Sequence, residues 1–147
     1  QGGDKGRAPV GENARVQIIR AGKNSTVGGV IYFDKFKTVL TEKNKKQLDT
    51  IVHQVAGKPQ RIEVRGYTVL QPVPEESGYR DNWDLAFQRS REVEQYLISQ
   101  GISSGRLSIN VFGPNNPVYT GIDPTELQRN ARVQVIMVDE RSQGTLN

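Results

Sequence analysis

Cysteine is missing altogether from the 147 residues, and histidine, tryptophan and methionine each occur once. Without cysteine there is no disulfide, no thiol nucleophile and no cysteine-ligated zinc. The absence leaves reducing and oxidising compartments equally open. The lone histidine, His53, falls in "QLDTIVHQVAG" on a predicted helix with no second imidazole nearby. A surface or structural role is expected for it, and no metal site. Long apolar runs are lacking too. No window approaches the roughly 18–20 apolar residues that cross a bilayer, and the Gly-rich opening "QGGDKGRAPVGENA" has no apolar signal-peptide core. Any membrane attachment is therefore expected in a segment outside this chain. The net charge of +4 is mild and the basic residues are scattered. The longest basic cluster, Lys43 to Lys46, reads as the solvated first turns of a helix, so no nucleic-acid partner is expected. Finally, there is no G-x-S-x-G and no metal-ligand spacing. No catalytic residue, no enzyme activity and no cofactor are expected.

Apolar residues make up 35% of the chain and charged residues 24%, which suits one globular domain with tails. Residues 1–13 read as a flexible tail or tether and 141–147 as a second tail, which leaves 14–140 as the domain. Residues 14–22, "ARVQIIRAG", alternate as a strand. After the turn signal "KNST", "VGGVIYFD" reads as its hairpin partner, with Gly28 and Gly29 marking a bulge. A helix follows, capped by Thr41, striped by Leu48, Ile51, Val52 and Val55, and stopped by Gly57 and Pro59. "QRIEVRGY" alternates as a strand with Ile62 and Val64 on one face. A loop with Pro72, Pro74 and Gly78 leads to a second helix capped at Asp81 or Asn82 and ended by Gly101. "GRLSINVFG" and "NARVQVIMVDE" supply two more strands, and a short helix is predicted after Asp123 and Pro124. The order predicts an α/β (α+β) two-layer sandwich: a mixed sheet with both main helices on one face and the other face partly exposed.

The second helix holds a charge in its apolar stripe. Leu85, Ala86, Val93, Tyr96 and Leu97 share one face, and Arg89 lies among them. A guanidinium facing the sheet is held either by a ligand carboxylate, or by a structural salt bridge or carbonyl cap. Spacing leaves these alternatives open. Trp83 and Phe87, at i and i+4 on the helix flank, pack beneath the long loop or form a contact surface.

"FDKFKTVLTEKNKKQLDTIV", "RIEVRGYT", "NWDLAFQRSREVEQYLISQGI", "GRLSINVFG" and "RNARVQV" resemble, in order and spacing, the pattern of OmpA-like peptidoglycan-binding domains. The likeness covers roughly residues 14–138. The long proline loop and the helix start Asn82, Trp83, Asp84, Leu85 look particularly like the MotB branch, the periplasmic part of flagellar stator proteins. The resemblance implies the OmpA C-terminal-like fold and a location in the periplasm or cell envelope. It also implies non-covalent binding of the peptidoglycan stem peptide; a homodimer is expected separately as a further association.

In the family an Asp takes the ammonium, and a helix Arg the carboxylate, of a zwitterionic diaminopimelate. Carried over, Arg89 matches the arginine, Asn82 the helix-start Asn, and Asn130 and Arg132 the final motif, with Ala131 in place of one arginine. Tyr67 and Thr68 match the turn, with Tyr67 in the place of His. Val69 stands where the ammonium-binding Asp belongs, and valine accepts no hydrogen bond. Glu75, Glu76 and Asp81 on the long loop are the candidates to replace it. If none does, the carboxylate half of the clamp remains, or the domain serves as a degenerate protein–protein or dimerisation module.

Overall fold

The computed structural model describes residues 25–114, 120, 123 and 129–139. The predicted strand at 14–22, the predicted short helix after Asp123 and both predicted tails lie outside them. The elements are β1 (Ser25–Tyr32), α1 (Glu42–Val55), β2 (Gln60–Tyr67), α2 (Asn82–Ser99), β3 (Leu107–Phe112) and β4 (Arg132–Asp139). They form a four-stranded mixed sheet in the order β1-β4-β2-β3. β4 runs antiparallel to both of its neighbours, and the β2/β3 pair, joined through α2, is parallel. The expected mixed sheet with two helices is therefore observed.

Local chemistry sets the boundaries. Thr41 and Asn44 form a reciprocal capping box, Asn44 N donating to Thr41 Oγ1 at 3.1 Å and Thr41 N to Asn44 Oδ1 at 3.0 Å. The Asn44 amide also donates to the Tyr32 carbonyl at 3.2 Å, tying the helix start to the end of β1. Asn44 is consequently buried, unlike its exposed neighbours Lys43 and Lys46, so the predicted solvated cluster is broken at this one position. At the other helix, Asp81 accepts from Asp84 N at 2.8 Å as the N-cap. Gly101 ends α2 at φ +107, with its N–H on the Ile98 carbonyl and that of Ile102 on Leu97. This is a Schellman closure whose apolar partners, Leu97 and Ile102, both enter the core.

The core lies between the sheet and the helices. Leu48, Ile51 and Val55 from α1 and Val93 and Leu97 from α2 meet Ile62, Val64, Val133, Val135 and Leu107. Each such side chain contributes about 1.5–3 kcal/mol by leaving water. Glycine sets how close α2 comes to the sheet: a Cβ on Gly66 would collide with Ser90 Oγ and lie 2.7 Å from the Ala86 carbonyl oxygen. The predicted bulge is present in β1, where the register with β4 shifts between Val27 and Gly29.

The far face is partly exposed, as expected, with Ser108 and Asn110 of β3 exposed, while along β4 Arg132, Gln134 and Ile136 are buried. The strand is central, with Val30 and Arg65 opposite Gln134 on either side. Arg132 is stacked over the Tyr67 ring at 3.9 Å.

Candidate ligand site at the end of the sheet

Arg89 is buried at 3% exposure, as its place in the stripe predicts. Its Nε donates to the Lys37 carbonyl at 2.8 Å and its Nη2 to the Asp34 carbonyl at 3.0 Å. Its guanidinium carbon stands 5.2 Å from the centroid of the Phe33 ring. The two carbonyls belong to one turn, closed by Lys37 N on the Asp34 oxygen at 2.9 Å. Inside it Phe36 sits at φ +56, the one non-glycine residue with positive φ among the described residues. A bulky side chain there costs about 1–2 kcal/mol. Arg89 therefore grips both ends of a strained turn.

Of the alternatives left open by spacing, the carbonyl cap is the one observed; no salt bridge holds Arg89. Burial lowers its pKa from the usual guanidinium range to about 10, so it stays charged at neutral pH. Arg106 offers a contrast. It grips the Gln60 and Lys58 carbonyls at 2.8 and 3.0 Å in the same manner, but it remains partly exposed.

The three candidate loop acids stand in two different situations. Glu75 and Glu76 are exposed in a single 3-10 turn, and Asp81 is occupied as the α2 cap. The Asn82 amide donates to the Val69 carbonyl at 2.8 Å and also to the Gln71 carbonyl, pinning the loop to the helix start. Tyr79 then folds back, its hydroxyl 3.3 Å from Thr38 Oγ1, and joins the long loop to the segment Arg89 holds. Thr68 is 4% exposed, and its Oγ1 is buried with no hydrogen-bond partner. Among described residues it is the one buried side-chain polar atom in that condition.

Six residues carry the expected site, and they divide between two faces of the sheet. Gly66 faces α2, so Thr68 does as well, while Tyr67 between them points away. Tyr67 lies in a stack with Arg132 on one side and Phe112, 5.2 Å between ring centroids, on the other. Arg132 Nη1 donates to the Asn130 carbonyl at 2.9 Å and its Nε to Gln134 Oε1 at 2.8 Å. Arg89, Thr68 and Asn82 thus belong to the helix side, whereas Tyr67 and Arg132 belong to the far face with Asn130 in the turn leading to it. Sequence reasoning missed three contributors: Phe33 under the guanidinium, the strained turn at Phe36, and the Tyr79–Thr38 tie. The Phe-Asp pair ahead of the first helix was the available signal for Phe33. Nothing in the residue types marks the other two.

Trp83 and Phe87 are 50% and 40% exposed. The outer carbons of the Trp83 indole lie against Gly113, 3.2 Å from where a Cβ would stand, so the outer edge of the ring packs just past the end of β3.

A mixed four-stranded sheet with two helices on one face, and a buried arginine at the sheet's end, defines a small two-layer α/β domain. The chain belongs to the OmpA family, whose model matches residues 32–131. It is 30% identical over 105 residues to a peptidoglycan-associated lipoprotein of Pseudomonas aeruginosa, covering 71% of this chain and 59% of that protein. It is 24% identical over 136 residues to the peptidoglycan-binding protein ArfA of Mycobacterium tuberculosis, covering 90% of this chain and 40% of that one. The chain thus spans less than two thirds of the length of these relatives. Among solved structures, the periplasmic domain of Helicobacter pylori MotB superposes with a TM-score of 0.65 at 19% identity, over 83% of this chain and 78% of that one.

Proposed function

We propose that the chain is a non-catalytic module of the cell envelope that anchors to peptidoglycan by its stem peptide, in the manner of the periplasmic part of a MotB-like stator protein. Membership of the OmpA family supports the reading, as do relatives whose names state association with or binding of peptidoglycan. The observation that carries it is Arg89: a buried cation with no carboxylate partner among the described residues. Burying such a charge costs several kcal/mol unless an anion accompanies it, and a carboxylate of the stem peptide supplies one. The periplasm is the compartment in which that ligand is met.

Sedimentation with purified sacculi tests this directly. The wild-type chain is expected in the pellet, with Arg89→Lys and Arg89→Ala progressively less retained. A wild type that stays in the supernatant ends the reading.

Trp83 and Phe87 favour a second function, association with a protein or with a second copy, because the two half-exposed aromatics form one flank of α2. Sedimentation equilibrium separates it from the first. A concentration-dependent dimer abolished by Trp83→Ser and Phe87→Ser together, without sacculus binding, identifies the second function.

A further inference from the structure

We propose that the Arg89 site takes a carboxylate whose neighbouring nitrogen is acylated, that is, the terminal carboxylate of a peptide, and discriminates against a free amino acid. The inference rests on the anchoring function above, from which it takes its ligand class, and it specifies the chemical end that is bound.

Ile31 and Gly66 flank Val133 in the β1-β4-β2 register. Beyond the last paired residues of both ladders, strand alternation puts Phe33 and Thr68 on the helix side, with Ala131 in the bend before β4. Ala131 is small, and Arg89 crosses from α2 to stand over Phe33. Two groups there have donors to spare. The guanidinium spends Nε and Nη2 on backbone carbonyls and leaves Nη1 with no acceptor among the described residues. The Thr68 hydroxyl has no partner at all. A carboxylate offers two oxygens and about four lone-pair sites, enough for both.

Among the described residues, the acids near this end of the sheet are either exposed or already engaged. Val69 carries no acceptor in its side chain, and its carbonyl already takes the Asn82 amide. Asp81 is spent on the α2 cap, Asp84 accepts from Arg80 N at 3.0 Å, and Glu75 and Glu76 are exposed. Asp34, one residue past Phe33, is exposed and contributes its carbonyl to Arg89. An ammonium beside the bound carboxylate would be desolvated unpaired, whereas an amide N–H in its place costs far less.

Titration of the chain with N-acetyl-D-alanine and with D-alanine, followed by protein NMR, tests the discrimination. The wild type is expected to bind the acetylated ligand tighter by about tenfold or more, with the Arg89 Nε–H resonance among those that shift. Val69→Asp is expected to move the ratio about tenfold toward D-alanine. Thr68→Val, which keeps the side-chain shape and leaves the Arg89 clamp untouched, is expected to weaken N-acetyl-D-alanine several-fold without loss of thermal stability. D-alanine bound equally or better by the wild type overturns the proposal, since Asp34 or a loop acid then supplies the missing charge. No binding of either ligand overturns it too. Sacculus sedimentation runs alongside. Sacculi retained while D-alanine is preferred refutes the selectivity and spares the anchor. Acetylated ligand bound while sacculi stay free refutes the anchor alone.

Discussion

The Thr68 hydroxyl is buried without a hydrogen-bond partner, and a group left so costs a fold about 1–3 kcal/mol. Thr68→Val removes the hydroxyl and preserves the shape. It is expected to raise stability by about 1 kcal/mol in urea unfolding at unchanged m-value. Arg89 differs, because its charge is costly but its hydrogen bonds hold the turn at Phe36. Arg89→Ala is expected to lose about 2–4 kcal/mol, since two hydrogen bonds from a charged donor disappear together and leave two carbonyls unsatisfied. Both readouts are equilibrium unfolding. A destabilised Thr68→Val would show that the hydroxyl does have a partner in the folded chain. The presence of Arg89 in a buried stripe was legible from helical spacing alone. Its partners were not, because they are backbone carbonyls 52 and 55 positions away, and a carbonyl is the same whatever residue bears it. Tyr67 and Thr68 teach the opposite lesson. Adjacent residues on a strand face opposite sides, so their division between two faces was readable from the start.

Among the elements, α1 and α2 owe their placement to different devices. The box between Thr41 and Asn44 fixes where α1 starts, and Thr41→Ala is expected to cost about 1 kcal/mol. Asn44→Ala is expected to cost more, because the bond to the Tyr32 carbonyl goes with it. Denaturant midpoints of the two variants check the order. Thr41 was readable as a cap from its position ahead of an apolar stripe, but Asn44 at the third helical position is not the Glu or Gln that signals a box. α2 is placed by Gly66. Gly66→Ala is expected to destabilise by about 1–3 kcal/mol as the helix is forced from the sheet. Adding Ser90→Ala is expected to restore only part of that loss, since the Ala86 carbonyl is backbone and stays in the way. A double-mutant cycle measures the residue. That Gly66 meets a helix 20 positions later is information about packing, and strand alternation carries none of it.

At the scale of the molecule, the layers followed from alternating strands and amphipathic helices, whose periods report which face is apolar. The burial of the far face along β4 did not, because shading of a central strand depends on sheet order, and β4 comes last in sequence yet lies between β1 and β2. That same order has a mechanical consequence. Ser25 pairs with Val138 at one end of the sheet, while Tyr32 pairs with Arg132 at the other, where Arg89 waits. Tension applied between Ser25 and the Arg89 end of the sheet runs lengthwise along the strands. Lengthwise tension shears the β1/β4 ladder, loading its rungs together, where a transverse pull would peel them one by one.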